Sequence, residues 1–355
     1  MSIRIPALVG TIIESALSPH PVDRYLELVD PMTTWRDLRG QVVAVDRPTS
    51  RTVRLTLRPT RQWKGHTPGQ YVQLSTVIDG VRHTRCFSPA NAPGNDIELT
   101  VTAHDGGLVS THLREHAHVG MVVGLEQAAG DFVLPDDRPR TAVFISGGSG
   151  ITPVLSMART LVAEGHRGRI VFVHYARTPD DVAYRSELAE LARAGNVDVR
   201  LHYTRGPSGD HFTADHLADV ADIDDADLFV CGPAALMDAV ANHHGSRGLR
   251  GRLHQEAFTL AAPLGVDPDA PVDGALTFLR SGRSATNDGR TILDQAESAG
   301  LTPESGCRMG ICFSCTAIKR SGCTRNVLTG ETDTETDTQI QLCINAPVGD
   351  VEIEV

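Results

Sequence analysis

Three cysteines lie close together near the C-terminal end of the sequence, and a fourth follows at a distance. Cys307, Cys312 and Cys315 have C-x4-C-x2-C spacing, and 27 residues separate Cys315 from Cys343. Three thiolates on one loop and a fourth from a distant segment form the ligand pattern of a plant-type [2Fe–2S] cluster. Such a loop must turn its backbone N–H groups toward the sulfurs, which small residues such as Gly310 permit. The alternatives are a disulfide pair or a zinc knuckle, but zinc sites usually supply two C-x2-C pairs.

This loop resembles the cluster loop of ferredoxins, and the resemblance covers residues 275–355. It implies an α+β, β-grasp-like domain whose four cysteines hold the cluster. Around the loop the sequence predicts a strand, a capped short helix and two closing strands: Leu276–Arg280, Ile292–Ala299 with Thr291 as its N-cap, Ile340–Cys343 and Val351–Val355. We expect the acidic run Glu331–Gln339 to be a solvated loop.

The region between Gly40 and Glu126 is rich in short β-type runs that Gly, Pro and Asp residues separate. The runs are Gln41–Val45, Thr52–Leu57, Tyr71–Thr76, Ile97–Thr102 and Met121–Glu126. Short strands at roughly ten-residue spacing are typical of a small antiparallel β-barrel. One helix-like segment, residues 105–118, interrupts the series.

One β-type segment of this region ends in Arg85-Cys86-Phe87-Ser88. An arginine presents a planar fork of donors that suits phosphate. An aromatic ring two residues further on can flank an isoalloxazine ring, and the serine hydroxyl can reach its redox nitrogen. The pattern is short and also occurs by chance at ordinary strand ends. Its weight therefore depends on the motifs that accompany it.

A glycine-containing segment, Gly106-Gly107-Leu108-Val109-Ser110, follows and is expected to open a helix at Ser110. The first N–H groups of a helix have no intrahelical partners, and the helix dipole is positive at that end. The segment is therefore suited to bind a pyrophosphate.

From Thr141 onward the sequence predicts alternating strands and helices. They are a strand at Ala142–Ser146, a helix at 153–164, a strand at Ile170–Tyr175, a helix at 183–194, a strand at Asp198–Tyr203 and a final strand at Asp227–Cys231. Such alternation indicates a parallel sheet wound with helices and a nucleotide-binding α/β domain. The loop after the first strand reads G-G-S-G-I-T-P, which is not the G-x-G-x-x-G fingerprint.

Residues 40–258 resemble the ferredoxin–NADP reductase superfamily, in which a flavin-binding barrel precedes a nicotinamide-nucleotide domain. The resemblance lies in the R-x-F-S strand end, the G-x-x-S helix start, the G-G-x-G-I-T-P loop and a C-G-P turn. It implies FAD rather than FMN, bound by Arg85, Cys86, Phe87, Ser88, Gly106, Gly107, Val109 and Ser110. It also implies a nicotinamide dinucleotide bound by Gly148, Thr152, Pro153, Cys231, Gly232 and Pro233. The family usually has Tyr where Phe87 stands, so one hydroxyl contact is lost while the ring is kept.

The segment Glu256-Ala257-Phe258 closes this region. Relatives with a C-terminal ferredoxin domain carry a similar E-x-F, which implies that Glu256 and Phe258 lie near the flavin. Ser88, Cys231 and Glu256 are therefore our candidate catalytic residues. The alternatives are a small buried hydrophobic role for Cys231 and a helix-docking role for the E-x-F segment.

The choice of dinucleotide depends on cationic residues that could hold a 2′-phosphate. Arg177 follows the second predicted strand of the α/β domain, and Thr204-Arg205 follows the third. The Thr204-Arg205 pair resembles the Ser-Arg pair that grips the 2′-phosphate in the family, and Arg185 is a further candidate. We therefore expect NADPH as the electron donor, with NADH as the alternative.

Composition narrows the class of protein. The chain has 355 residues, of which 41% are hydrophobic, and a formal net charge of −11, which argues against a nucleic-acid partner. Seven cysteines, four of them assigned to a cluster, suggest a reducing compartment. We find no signal peptide and no run long enough for an integral membrane segment. We expect a cytoplasmic protein that meets a membrane only through its partner.

Histidines elsewhere in the chain do not predict a metal site. They are His112, His116, His118, His243 and His244. No third ligand stands at a recognisable spacing, so surface or helix-end positions are expected.

The predicted organisation has five parts. They are an N-terminal arm (1–38), an FAD-binding β-barrel (39–138), an NAD(P)-binding α/β domain (139–260), a linker (261–274) and a [2Fe–2S] ferredoxin domain (275–355). We expect the arm to pack on the body of the protein, and the alternative is an arm that docks on a partner or a membrane surface. The order of the parts implies an oxidoreductase that passes electrons from NAD(P)H through FAD to the cluster. Residues 272–355 hold twelve Asp and Glu against seven Lys and Arg, which suits transient docking on a basic partner protein.

The whole-chain pattern is most similar to actinobacterial reductases that serve membrane di-iron stearoyl-CoA desaturases. The supporting segments are Tyr25-Leu26-Glu27 with Pro31-Met32, residues 80–85 and residues 347–351. A fatty acyl-CoA desaturase is therefore the expected acceptor. The reductase of an alkane, ring-hydroxylating or P450 oxygenase is the alternative. A redox-sensing, electron-storing protein is the alternative from another class.

Overall fold

The computed structural model describes residues 22–206, 209–220, 222–248, 252–258, 272–306, 308, 310 and 313–355. Most of the predicted arm and linker, and the cysteines Cys307 and Cys312, lie outside the described residues. The remaining part of the arm contains helix α1 (Val22–Leu26). Its buried Asp23 carboxylate accepts hydrogen bonds from the backbone N–H groups of residues 35–37. These bonds fold the segment before the first strand against α1.

The first sheet consists of six antiparallel strands: β1 (Arg39–Thr49), β2 (Thr52–Pro59), β3 (Val72–Ile78), β4 (Val81–Phe87), β5 (Ile97–Thr102) and β6 (Val122–Leu125). Their order is β4-β3-β6-β1-β2-β5. Alternate residues such as Val53, Leu55 and Leu57 are fully buried in its core. Helix α2 (Leu108–His116) adds Val109 and Leu113 to the same core. The predicted antiparallel strands of this region are confirmed.

The second sheet consists of five parallel strands: β7 (Thr141–Gly147), β8 (Arg169–Ala176), β9 (Val197–Tyr203), β10 (Asp227–Cys231) and β11 (Leu253–Glu256). Helices α3 (Ile151–Ala163), α4 (Arg185–Leu191) and α5 (Ala234–Ser246) lie between them. All seven residues of β7 are buried, as expected for a central parallel strand covered on both faces. The order β11-β10-β7-β8-β9 reverses its direction between β7 and β10. In open sheets, this switch point is where the carboxyl ends of the strands form a ligand crevice.

The third sheet is mixed and consists of β12 (Ala275–Phe278), β13 (Arg283–Thr286), β14 (Thr316–Asn326), β15 (Thr332–Asp333), β16 (Thr338–Gln341) and β17 (Asn345–Ile353). The order is β13-β12-β17-β14-β15, and β16 also pairs with β14. The first and last strands, β12 and β17, are parallel to each other. Helix α6 (Ile292–Ser298) packs Ile292 and Leu293 into the core of this sheet. Thr291 caps α6 by accepting the Asp294 N–H at 3.3 Å, which confirms the predicted N-cap.

Several sequence-based boundaries are wrong. Strand β10 is not the last of the parallel sheet, because β11 follows and pairs with it. Strand β11 was missed because it is a four-residue edge strand with half-buried polar side chains and no apolar run. Helix α2 begins at Leu108, two residues before the predicted start at Ser110. The long strand β14 was missed because its alternation is polar and Gly322 interrupts it.

The acidic run Glu331–Gln339 is not simply a solvated loop. It contains β15 and the start of β16, both of which pair with β14. The Lys319 side chain is fully buried beneath it, and its ammonium group lies 2.5 Å from the Asp333 carbonyl oxygen and 3.2 Å from the Asp333 carboxylate. The run therefore covers a buried charge. Among the helices that the structure describes, none is both long and apolar enough to cross a bilayer.

Candidate functional site

Strand β4 carries the predicted flavin residues at one end of the antiparallel sheet. Arg85 and Phe87 project to the same face of the strand, and the half-buried Cys86 lies between them. Phe87 packs against the core of this sheet. Ser88 follows the strand and is 1% exposed, and its hydroxyl has no hydrogen-bond partner among the described residues. A buried hydroxyl left unpaired costs about 1–3 kcal/mol, so Ser88 fits a bound group that offers it a partner.

The start of helix α2 fits a pyrophosphate. Gly107 is the N-cap residue and makes no side-chain cap bond, so the first N–H groups of the helix are not capped by it. Gly106 has φ of 77°, and a Cβ placed there would meet nothing within 4 Å, so the approach to the helix end is open. At Gly107 a Cβ would stand 2.6 Å from the Ser110 hydroxyl oxygen and 3.1 Å from the His104 carbonyl oxygen, so a larger residue would require Ser110 to shift. Helix α2 also contacts β4, which brings this predicted anion site next to the strand of Arg85.

The glycine-rich loop after β7 packs directly against the turn after β10. A Cβ at Gly150 would collide with the carbonyl group of Cys231, and one at Gly147 would stand 2.7 Å from the Pro233 ring. Gly232 in turn faces the backbone N of Gly147. Gly148 has φ of 56° and faces open space. The two predicted nucleotide motifs thus form one backbone surface at the switch point of the sheet.

Helix α3 begins within this loop, and its first turn is buried. Thr152 is 2% exposed, and its hydroxyl donates to the Ser149 carbonyl at 3.3 Å. Pro153, which is also buried, occupies the first turn, where a missing N–H costs nothing. Further along the helix, Ser156 donates to the Asn91 carbonyl at 2.7 Å. Because Asn91 lies three residues after Ser88, this bond connects the segment after β4, called the flavin strand below, to helix α3.

Cys231 and Glu256 stand side by side at the ends of β10 and β11, in register with each other. Burial, and then the Glu256 carboxyl, raise the pKa of the Cys231 thiol well above its ordinary value. Burial raises the pKa of Glu256 to about 8, and its Oε2 is buried without a hydrogen-bond partner among the described residues. Both groups are therefore uncharged at neutral pH. Phe258 packs against the core that contains Cys231.

The arginines proposed for a 2′-phosphate lie at the far side of the same sheet. The Thr204 N–H donates to the Ala176 carbonyl at 2.9 Å, and the Arg205 N–H donates to the Arg177 carbonyl at 2.8 Å. These bonds extend the β8–β9 pairing beyond the strand ends. Within the described ranges, neither guanidinium group makes a hydrogen bond or an ion pair. Arg185, in contrast, donates to the Pro179 carbonyl at 2.6 Å and has a structural role.

A polar junction that no sequence pattern indicates joins the first two sheets. The guanidinium groups of Arg54 and Arg159 both lie over the ring of Tyr184, which precedes α4, each 5.2 Å from the ring centroid. The Tyr184 hydroxyl bonds to Thr100 and lies 3.1 Å from a Glu98 carboxylate oxygen, which also accepts from Arg159 at 2.7 Å. Since the hydrogen-bonded pairs are up to 86 positions apart, no local pattern could reveal the junction. It fixes the flavin-strand sheet against the parallel sheet.

Two of the four predicted cluster ligands fall within the described residues. Cys315 and Cys343 are each 2% exposed, and the Leu342 N–H donates to the Cys315 carbonyl at 3.0 Å. Gly310 packs so closely that a Cβ would stand 2.7 Å from Ile344 Cδ1, and its carbonyl accepts from Gln341 at 2.7 Å. The cysteine loop is thus held against the segment that carries Cys343. Buried thiols on two adjoining segments fit an iron–sulfur cluster.

The cysteine loop also touches the flavin strand. The Arg85 guanidinium donates one hydrogen bond to the Thr84 carbonyl at 2.7 Å and another to the Gly306 carbonyl at 3.2 Å. Gly306 immediately precedes Cys307 in the sequence. This bond joins residues 221 positions apart and connects the third sheet region to the first.

Comparison with known proteins agrees with this architecture. Residues 44–134 match the family described as oxidoreductase FAD-binding domain, and residues 144–242 match the oxidoreductase NAD-binding domain. An NADPH oxidoreductase of Mycobacterium tuberculosis is 34% identical over 348 residues, which cover 95% of this chain and 90% of the relative. A glycine betaine monooxygenase reductase subunit of Pseudomonas aeruginosa is 30% identical over 316 residues, covering 81% of this chain and 86% of the relative.

A solved structure shares nearly the whole fold. Phthalate dioxygenase reductase, described as a modular structure for electron transfer from pyridine nucleotides to [2Fe–2S], aligns with a TM-score of 0.63 and 25% identity. The alignment covers 89% of this chain and 97% of that chain. With the two matched domains and the extensive identity to the mycobacterial enzyme, the chain belongs to the ferredoxin reductase family of NAD(P)H-dependent oxidoreductases.

Proposed function

We propose that this chain takes electrons from NADPH and delivers them singly to an oxygen-activating partner protein, with FAD and a [2Fe–2S] cluster as its cofactors. FAD supplies the conversion of a hydride's electron pair into single electrons, and the cluster carries one electron at a time. The observation that carries the proposal is the Arg85–Gly306 hydrogen bond, because it joins the flavin strand to the residue before the first cluster cysteine.

The flavin and nucleotide residues keep the roles that the family resemblance implies. Arg85 and the start of α2 hold the FAD phosphates, Phe87 flanks the ring system, and Ser88 offers its unpaired hydroxyl. The glycines around Gly148 and Gly232 let the nicotinamide approach the backbone closely. Cys231 and Glu256 line this end with neutral groups, because burial keeps the thiol and the carboxyl protonated near pH 7.

Arg177, Thr204 and Arg205 form the proposed seat of the 2′-phosphate. Both guanidinium groups are unengaged within the described ranges and lie on neighbouring strand ends, so together they can bind one phosphate. A relative at 34% identity is an NADPH oxidoreductase, which supports the same donor. A hydride carries two electrons and one proton away from NADPH. The two electrons then leave the chain one at a time, each in a separate encounter with the acceptor protein.

The third region is proposed to be the ferredoxin domain, with boundaries at residues 275–355, after an FAD domain at 39–138 and an NAD(P) domain at 139–260. The parallel pairing of β12 and β17 with α6 packed on them is β-grasp-like. Cys307, Cys312, Cys315 and Cys343 would hold the cluster. The C-x4-C-x2-C spacing and the burial of Cys315 and Cys343 support this assignment.

The acceptor is proposed to be an oxygen-activating enzyme. The sequence resemblance favours a membrane fatty acyl-CoA desaturase. The similarity to a glycine betaine monooxygenase reductase subunit and to phthalate dioxygenase reductase favours a mono- or dioxygenase instead. Offering purified candidates of each class and measuring NADPH-dependent product formation decides between them.

Anaerobic stopped-flow reduction tests the electron path itself. NADPH should bleach the flavin absorbance first and then produce a reduced-cluster EPR signal. Cys343→Ser should keep flavin reduction but lose the EPR signal and the delivery of electrons to an acceptor. Cys323→Ser is the matched control, because Cys323 is a half-buried cysteine of the same sheet outside the proposed ligand set. Iron and sulfide contents near zero in anaerobically prepared wild-type protein would overturn the proposal.

A further inference from the structure

Two histidines and one aspartate meet beside the carboxyl end of β9. His202 lies on β9, Asp210 follows the next loop, and His216 lies in the single-turn 3₁₀ helix Ala214–Leu217. The His202 Nδ1 is 2.6 Å from one Asp210 carboxylate oxygen, and the His216 Nε2 is 3.2 Å from the other. The two imidazole rings stack with their centroids 3.9 Å apart. These three residues are called the histidine–aspartate triad below.

The donor atoms of the triad are grouped as metal ligands are. One ligand atom from each residue lies within 4.8 Å of the other two. Donors at about 2.0–2.2 Å from a tetrahedral ion stand somewhat closer together, so side-chain shifts of about 1 Å would complete the site. Two imidazoles and one carboxylate suit Zn²⁺ and neighbouring first-row ions, whereas Ca²⁺ and Mg²⁺ prefer all-oxygen sites.

A neighbouring tyrosine orients one of the ligands. The Tyr175 hydroxyl lies 2.7 Å from the Nδ1 of His216. With the ring proton on Nδ1, which then donates to the tyrosine oxygen, Nε2 presents its lone pair on the side of Asp210. Metal-bound histidines usually have such a partner at the other ring nitrogen. His202 faces Asp210 with its Nδ1, so it would bind the ion through that atom and keep its ring proton on the buried Nε2.

We propose that the histidine–aspartate triad binds one divalent first-row transition-metal ion, with Zn²⁺ the best-suited ion. The site is distinct from the sulfur ligands of the cluster and from the flavin and nucleotide residues. Its bound ion would act on nucleotide choice, and this second part rests on the proposed use of NADPH. Thr204-Arg205 follows His202 closely in sequence, and the Asp210 N–H donates to the Tyr203 carbonyl at 3.0 Å.

The loop that carries Arg205 therefore begins and ends at the triad. Coordination would fix both ends of this loop and change the charge of the site from −1 to +1, given neutral imidazoles and one carboxylate. Both changes favour a doubly charged 2′-phosphate nearby. The KM for NADPH should fall several-fold when the ion binds. The KM for NADH, which lacks this phosphate, should not change.

Isothermal titration calorimetry with Zn²⁺ tests the site directly. The sample is the flavin- and cluster-loaded protein, treated with a chelator that is then removed. Asp210→Asn removes the carboxylate charge and His216→Gln removes a ring nitrogen, and circular dichroism and flavin content check that both variants fold. His112→Ala is the control, because His112 and His116 also stack, with centroids 4.8 Å apart, but are not grouped with a third ligand in the described residues.

The expected result is one Zn²⁺ per chain with a micromolar or tighter Kd. Binding should be weaker by at least about tenfold in Asp210→Asn and His216→Gln, and unchanged in His112→Ala. Absence of binding, or equal binding in all variants, would overturn the metal site. Steady-state KM values for NADPH and NADH, with and without Zn²⁺, test the coupling. An unchanged NADPH KM would overturn the coupling alone, and a chain that binds Zn²⁺ but oxidises no NADPH would overturn only the proposed donor.

Discussion

Replacing Glu256 with glutamine should remove a pH dependence of stability from the parallel-sheet domain. Burial raises the pKa of this carboxyl from its ordinary 4.5 to about 8. The folded protein therefore keeps a proton that the unfolded chain releases at a lower pH. Because the folded state binds more protons in this window, linkage makes the free energy of unfolding fall as pH rises from about 4.5 to about 8, and level off above it.

The magnitude follows from the width of the window. A tenfold change in proton affinity corresponds to about 1.4 kcal/mol. The wild-type protein should therefore lose up to about 4 kcal/mol between about pH 5 and about pH 9 through this group. Glutamine has the shape of the protonated carboxyl but cannot ionise, so Glu256→Gln should lack this loss. For a domain of this size the difference corresponds to a Tm change of about 10 °C or more.

Differential scanning calorimetry of the FAD-loaded protein at several pH values measures this difference. The transition of the parallel-sheet domain is compared between wild type and Glu256→Gln at each pH, so that all other titrating groups cancel. Glu190→Gln is the control, because Glu190 is an exposed carboxyl of the same domain. Its curve should run parallel to the wild-type curve. A Glu256→Gln curve that also runs parallel to wild type would refute the reasoning, since the carboxyl would then have an ordinary proton affinity when folded.

Three further substitutions test other parts of the structure. Asp333→Asn should destabilise the third sheet by about 3 kcal/mol in denaturant unfolding, because it leaves the buried Lys319 ammonium without a counter-charge. Tyr184→Phe should cost about 1–3 kcal/mol in the same assay, because the Glu98 and Thr100 groups at the junction lose a buried partner. Arg205→Ala should raise the KM for NADPH by about tenfold or more and leave that for NADH within about twofold, as one charged hydrogen bond to phosphate is lost.

Each of these has its own control. Lys319→Met removes the buried charge together with the need for a partner, so it should cost much less than Asp333→Asn, and an equal cost would contradict the buried-pair argument. For Tyr184→Phe the control is a second measurement, NADPH binding. It should be unchanged, because the ring stays in place under the guanidinium groups of Arg54 and Arg159. Arg167→Ala is the control variant for Arg205→Ala. Arg167 is an exposed arginine just before β8, at the amino ends of the strands, whereas Arg205 lies at the carboxyl ends. A similar KM effect from Arg167→Ala would mean that the phosphate responds only to overall charge.

Features that depend on neighbouring residues in the sequence could be predicted, and features that depend on distant pairing could not. The C-G-P turn at Cys231 and the glycine loop at Gly150 each have a local signature. Their contact follows once β7 and β10 are taken as neighbours in a parallel sheet. The N-cap at Thr291 likewise depends on two residues only three positions apart. In all three cases backbone geometry restricts the residue type.

The missed elements lack such a restriction. Strand β11 is an edge strand, so its residues need not be apolar, and Glu256 was placed near the flavin by resemblance rather than by a predicted strand. Nothing in the sequence of the acidic run Glu331–Gln339 indicates that Asp333 contacts Lys319. That contact depends on the pairing of β14 with β15. The histidine–aspartate triad has the same difficulty. Its members are spread over a strand, a loop and a 3₁₀ turn, with no spacing that a ligand motif would repeat.

If the proposed nucleotide residues are right, the strand order predicts the direction in which a dinucleotide lies. On one side of β7 the carboxyl edge of the sheet ends in the buried Cys231 and the half-buried Glu256, both of which are neutral. On the other side it ends in Arg177 and Arg205. A dinucleotide in the reverse direction would bring its 2′-phosphate against a buried carboxyl and its uncharged ring against two guanidinium groups. Both contacts are unfavourable, so we expect the hydride-bearing ring on the β10 side, where Gly148 faces open space.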